Sequence, residues 1–205
     1  MPTSTNKRPR GRPPAFDKRL VAERIIDTFW SRGFSATSLD HLSEATGLYR
    51  PSLYAAFGDK KSMYREALRL FAEQLRAEVA VALARPGINT SLKGFYRAAI
   101  EVYTGGESGP KGCLFVCTTA AESAEDRELR ADLAAVLKEI DSALAARFKQ
   151  AQADGELSTQ HNAATLGRLA GAVLHSLAVR ARAGESKASL KRLAEATVTQ
   201  LLSLH

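Results

Sequence analysis

Apolar residues recur at helical spacing along nearly the whole chain, and no stretch alternates Val, Ile and Thr in the manner of a strand. That pattern confines the fold to packed helices. Val21, Ile25 and Phe29 repeat every four residues, shadowed by Ala22, Ile26 and Trp30, which predicts an amphipathic first helix. Asp17 can cap its start and Gly33 can stop it. A second helix is expected near Thr37, where Thr37-x-x-Asp40 has the form of a capping box. Gly47 breaks the chain, Pro51 suits the first turn of a short third helix, and Gly58 ends it. Asp59 can cap a long fourth helix reaching about Ala84, before Arg85-Pro86-Gly87. Further helices are predicted at roughly 89–104, 111–122, 125–153, 162–183 and 187–204. About nine helices with no strand make an all-α fold.

Charge divides the chain unevenly. Residues 1–65 carry 12 Lys/Arg against 6 Asp/Glu, leaving 17 against 16 for the remainder of a chain whose net charge is +7. A basic head on a near-neutral body points to a polyanionic partner for the head. Residues 1–15 hold four prolines and four cations with almost no apolar side chains, the composition of a disordered arm. The expected division is therefore a basic arm at 1–15, a small helical domain at 16–62 and a larger one at 63–205. No apolar run approaches the ~18 residues of a membrane span, and the polar N-terminus does not read as a secretory signal. A cytoplasmic protein is expected. Two cysteines, Cys113 and Cys117, and four scattered histidines form neither a disulfide framework nor a metal-ligand pattern. No cofactor and no metal is expected, and no phosphate loop or nucleophile elbow suggests an enzyme.

Residues 37–57, TSLDHLSEATGLYRPSLYAAF, carry the strongest functional signal. Leu39, Leu42 and Ala45 can line one helix face, Gly47 permits the sharp turn, and Leu53 and Phe57 can anchor the next helix inward. This is the pattern of a helix-turn-helix, whose second helix enters the DNA major groove. Tyr49, Arg50, Pro51, Ser52, Tyr54 and Ala55 would then face outward. Arg50 can pair with O6 and N7 of guanine, and Ser52 and Tyr54 can bond phosphates or base edges. Ala55 and Pro51 can meet a thymine methyl. Pro9-Arg10-Gly11-Arg12-Pro13 has the core of an AT-hook, in which Arg10 and Arg12 reach along a narrow minor groove.

The wider segment resembles the TetR family of bacterial regulators. Gly33-Phe34, Thr37-Ser38, Gly47-Leu48, Ser52-Leu53-Tyr54, Phe57 and Asp59-Lys60-Lys61 follow in the family's order from about residue 18 to 68. The resemblance implies that Thr37, Ser38, Tyr54 and Lys60 contact phosphates, which suits helix N-termini. Family members often carry Ser or Lys before the Ser-Leu-Tyr run. Arg50-Pro51 departs from that and favours a guanine under Arg50. The resemblance further implies a homodimer joined through the last two helices. Leu166, Ala170, Val173 and Leu177 would form the interface with Leu193, Val198 and Leu201, and Gly167 and Gly171 would allow close approach. It implies a pocket for a small-molecule effector among helices five to eight, with Tyr96, Tyr103, Phe115, Phe148 and His175 as lining.

Cys113 and Cys117 add a thiol-sensing alternative. A helix N-terminus and Lys111 beside them would lower a thiol pKa, whereas two small buried hydrophobes are the plainer reading. The function expected is an effector-responsive repressor on a palindromic operator. An activator, a ligand-enhanced repressor and an architectural DNA-coating protein are the alternatives.

Overall fold

The computed structural model describes residues 16–105 and 109–203. Arg10, Arg12 and the whole arm lie outside the described residues, as does the predicted end of the last helix at 204. Among the described residues there are nine α-helices and no strand. They are α1 (Lys18–Arg32), α2 (Leu39–Thr46), α3 (Arg50–Phe57), α4 (Lys60–Leu83), α5 (Ile88–Thr104), α6 (Ala120–Glu122), α7 (Arg127–Ala153), α8 (Ala163–Arg182) and α9 (Lys187–Leu202). A π-helical turn, Phe115–Thr119, leads directly into α6.

Local chemistry sets most helix ends. The Asp17 carboxylate accepts from the N–H groups of Arg19 and Leu20, and Gly33 closes α1 with φ 81°. Asp59 accepts from Ser62 N at 2.7 Å to start α4. The start of α2 differs from expectation by one residue. Ser38, not Thr37, is the cap: its Oγ accepts from His41 N, while His41 Nδ1 accepts from Ser38 N, both at 3.2 Å. Thr37 is turned into the core, where its hydroxyl donates to Gly33 O at 2.6 Å. Gly47 ends α2 in the left-handed region, and Pro51 stands in the first turn of α3 as expected.

Helices α1 to α3 enclose a small core of Val21, Ile25, Phe29, Leu42 and Leu53. α4 carries that core into the body, because Tyr64 packs edge-on to Phe29 and tilted against Phe34. The expected division at 62/63 thus falls inside a continuous helix. In the body, α8 lies along α7, and α5 packs against α4, α8 and α9. Gly167 and Gly171 serve that first contact. A Cβ on Gly167 would come within 2.7 Å of Ala145 N, and one on Gly171 would overlap the Asp141 carboxylate. Their close approach is therefore to α7 of the same chain.

Candidate nucleic-acid interface and ligand groove

The turn at Gly47 sets α3 across α2 so that Leu53 points inward, fully buried, and the opposite side of α3 faces solvent. Tyr49 (84% exposed), Pro51, Tyr54 and Ala55 lie on that outer side, with Ser52 half-buried at its edge. Arg50 begins the helix and is exposed, yet it is held. Its Nε and Nη2 both donate to Asp40 Oδ1 on α2, at 3.0 and 2.5 Å. The hydrogen bond and the opposite charge keep Asp40 below the usual carboxylate range and raise the basicity of Arg50. The sequence offers Asp40 only as the fourth member of a capping box, a place that His41 takes, because nothing local links it to a residue ten positions on.

The flanking groups are arranged less freely than expected. Thr37 offers no hydroxyl to a phosphate, since burial and its bond to Gly33 O commit it to the α1–α2 turn. Ser38 remains exposed at the N-terminus of α2, where unpaired backbone N–H groups favour an anion. The Lys60 ammonium sits 4.5 Å from the centroid of the Phe34 ring, and partial burial lowers its pKa against the opposing pull of Glu122. Lys61 is paired with Asp126 and Glu128 at the start of α7, at 2.8 and 2.5 Å.

Behind this surface the head is tied to the body by groups far apart in sequence. Arg182, at the end of α8, donates from Nη1 to Trp30 O and Lys111 O, at 3.0 and 3.1 Å, and from Nη2 to Ser31 O at 3.3 Å. The Trp30 indole N–H donates to Gly112 O at 3.0 Å, and the Lys111 ammonium pairs with Asp27. Ser35 donates through its backbone N–H and its hydroxyl to the two oxygens of Glu122, at 3.2 and 2.8 Å. The Tyr64 hydroxyl is buried between those of Thr118 and Thr119 in the π-helical turn.

The body contains a half-open groove between α4 and α7 rather than a pocket at the aromatic residues of α5 and α7. One part, ≈ 400 Å³, is lined by Ala72, Leu75, Val79, Leu83, Val136 and Ile140, among others. The adjoining part, ≈ 380 Å³, is more polar and includes Arg65, Arg69, Asp132 and Phe115. Arg76 and Glu139, paired at 2.6 Å, border both. Of the five residues expected to line an effector pocket, Phe115 borders this groove. Tyr96 is core: it is fully buried, and its hydroxyl donates to Ala170 O at 2.9 Å. Phe148 is likewise fully buried, and Tyr103 borders only a void of ≈ 10 Å³ beside Leu174. His175 is half-buried, and desolvation lowers its pKa despite the nearby Asp141. Aromatic spacing on α5 and α7 thus fills the helix interfaces. From the groove, Phe115 packs against Phe71, and Phe71 packs edge-on to Trp30 of the head.

The thiols do not form the activated pair of the sensing alternative. Cys113 is buried, and burial pushes its thiol up to about 11; Cys117, half-buried, is raised for the same reason. Lys111 does not lower them, because its ammonium is committed to Asp27 on α1. The helix begins after Cys113 and opens as a π-turn, so desolvation outweighs the helix terminus.

The expected dimer face also needs revision. Leu166, Ala170, Leu177, Val198 and Leu201 are buried within the single chain, leaving no surface for a partner. Val173 and Leu193 are half-buried, while Leu169 (49%) and Val179 (53%) stand exposed on α8. Periodicity alone did not separate the two sides of α8, both of which carry Leu.

A three-helix head whose exposed helix is held in place by its neighbour, joined to an all-helical body, defines a helix-turn-helix DNA-binding protein. Residues 23–67 match the model described as "Bacterial regulatory proteins, tetR family", and residues 89–197 match "Tetracyclin repressor-like, C-terminal domain". The chain belongs to the TetR family of DNA-binding transcription regulators, and its relatives are regulators rather than enzymes. It is 28% identical to the HTH-type transcriptional repressor ComR of Escherichia coli over 96% of this chain and 94% of that one. Among solved structures, a cysteine-substituted variant of the TetR-family regulator CifR in complex with a 26-base-pair operator duplex is 30% identical. That comparison covers 92% of this chain and 98% of the other, with a TM-score of 0.84. A TetR regulator from Chloroflexus aurantiacus, 24% identical over 90% of this chain and 96% of its own, shares the fold at a TM-score of 0.76. Among the described residues no helix is long and apolar enough to cross a membrane.

Proposed function

We propose that this chain is a homodimeric repressor that binds a near-palindromic operator and releases it when a small-molecule effector occupies the groove between α4 and α7. The observation that carries the reading is the exposed N-terminal half of α3, where Arg50 is oriented beside Tyr49, Pro51 and Tyr54. In this reading residues 16–62 form the DNA-reading unit and 63–205 the sensing and dimerising unit. Arg50 pairs with a guanine, and Tyr54, Ser38 and Lys60 meet phosphates. The similarity to a regulator solved on operator DNA supports DNA as the partner.

Exposed Leu169 and Val179, with half-buried Val173 and Leu193, supply an apolar stripe for a second copy. Twofold symmetry would then place two α3 helices in major grooves about 34–36 Å apart. The apolar lining of the groove suits a largely hydrophobic effector with one polar group for Arg76 or Glu139. Its binding is relayed through Phe115, Phe71 and Trp30 to α1. An effector that prefers the released state by ~1–3 kcal/mol changes operator affinity ~5–150-fold.

Selection of bound fragments from genomic DNA, with Arg50→Ala in parallel, tests the reading. The expected result is a site with twofold symmetry whose guanine preference relaxes in the variant. Binding without any recovered site, together with steep salt dependence, would leave only a non-specific polyanion binder.

A further inference from the structure

We propose that Asp40 is the positioning residue for base readout: it locks the Arg50 guanidinium so that this side chain reads a guanine and is withheld from the phosphates. The proposal rests on the assignment of Arg50 as a base reader and adds the residue that makes the reading selective. Two features of the pair set it apart from an ordinary surface contact. Both side chains are largely exposed, 54% for Arg50 and 71% for Asp40, and pairs so placed contribute little to folding. The carboxylate also stands on the face that must approach a polyanion, where it opposes binding unless it does something there.

The geometry supplies that role. Asp40 lies in the first turn of α2 and accepts from both Nε and Nη2 of Arg50 through the single oxygen Oδ1. These bonds engage the Nε side of the guanidinium. The Nη1–Nη2 edge lies outside the pair, with two parallel N–H groups matched in spacing to O6 and N7 of guanine. A free arginine at a helix start would swing among phosphates and bases, and its charge would strengthen binding to any duplex. Pinned to Asp40, it cannot reach sideways to the backbone, and the local charge is cancelled. Affinity for random DNA falls and the difference between guanine and adenine grows.

The test uses the full chain and the duplex recovered by selection, alongside the same duplex with adenine in place of the guanine that depends on Arg50. The wild-type protein is expected to prefer guanine on the order of 10- to 100-fold. Asp40→Asn, which keeps the shape and removes the charge, is expected to cut that preference to a few-fold and to tighten binding to an unrelated duplex. The slope of log K against log salt should steepen by about 0.9, one additional phosphate contact. Asp40→Glu restores the charge one methylene further out and should recover part of the preference. A uniform loss of affinity on all three duplexes in Asp40→Asn would overturn the proposal and make Asp40 a structural residue of α2. Full guanine preference in Asp40→Asn, with Arg50→Ala erasing it, would overturn the proposal while leaving Arg50 as the reader. Full preference in Arg50→Ala would remove the reader itself and the proposal with it.

Discussion

Arg50 meets Asp40 across ten residues of sequence, whereas Arg182 meets Trp30 and Ser31 across 152 and 151. Both arginines use two nitrogens, yet they do opposite work. Arg50 is exposed and bound to another charge on the adjacent helix, so a substitution of either partner leaves the core undisturbed. Arg182 is half-buried and donates to carbonyls at the C-terminal end of α1, groups that lack partners within the helix and carry its negative pole. The proposed reading surface is thus built on a local, exposed pair. The junction is built from long-range bonds whose loss leaves polar groups stranded. A regulator needs that contrast, since its target sequence must be adjustable while the path from body to head must be stiff.

The contrast can be broken at its stiffest point. Gly112 has φ 67°, and a Cβ there would overlap Ala178 O and stand 2.7 Å from Cys117 Sγ. Gly112→Ala is expected to destabilise the protein by roughly 2–4 kcal/mol, from backbone strain and overpacking together. A urea midpoint equal to wild type would show that the 111–112 segment is not clamped. Next in size, Arg182→Met retains the length and loses three hydrogen bonds. A loss of about 1–3 kcal/mol is expected from denaturant unfolding. Operator affinity should be nearly kept, with a weaker response to effector in a titration; an undiminished response would place the coupling elsewhere. On the reading surface, Ser38→Ala removes the α2 cap at a cost of about 1 kcal/mol. Its effect should be the smallest of the three, and a loss as large as that of Arg182→Met would erase the difference between the two regions.

The same contrast decides what could be read from residues alone. Asp17, Gly33, Gly47, Pro51, Gly58 and Asp59 act within four residues of themselves, and each stands at the helix end where the sequence places it. One local error, Thr37 for Ser38, arose because two adjacent hydroxyls compete for one cap, and Gly33 O drew the first inward. The outward side of α3 was legible for the same reason: with Leu53 inward, the positions of Tyr49, Arg50 and Tyr54 follow. Distant partners were not. Cys113 beside Lys111 suggests an activated thiol until α1 brings Asp27 to the lysine and burial raises the thiol. Gly167 and Gly171 suit a contact between two copies as well as the contact with α7 that they make.

The sequence by itself determined that the chain is helical, where most helices begin and end, and which side of the short third helix faces outward, because caps and turns are set by neighbours along the chain. Tertiary structure decided which apolar faces are spent on α7 and α5, where the groove opens, and which charges hold the head to the body. Periodicity says that a helix has an apolar side, but its neighbour in space decides what covers that side.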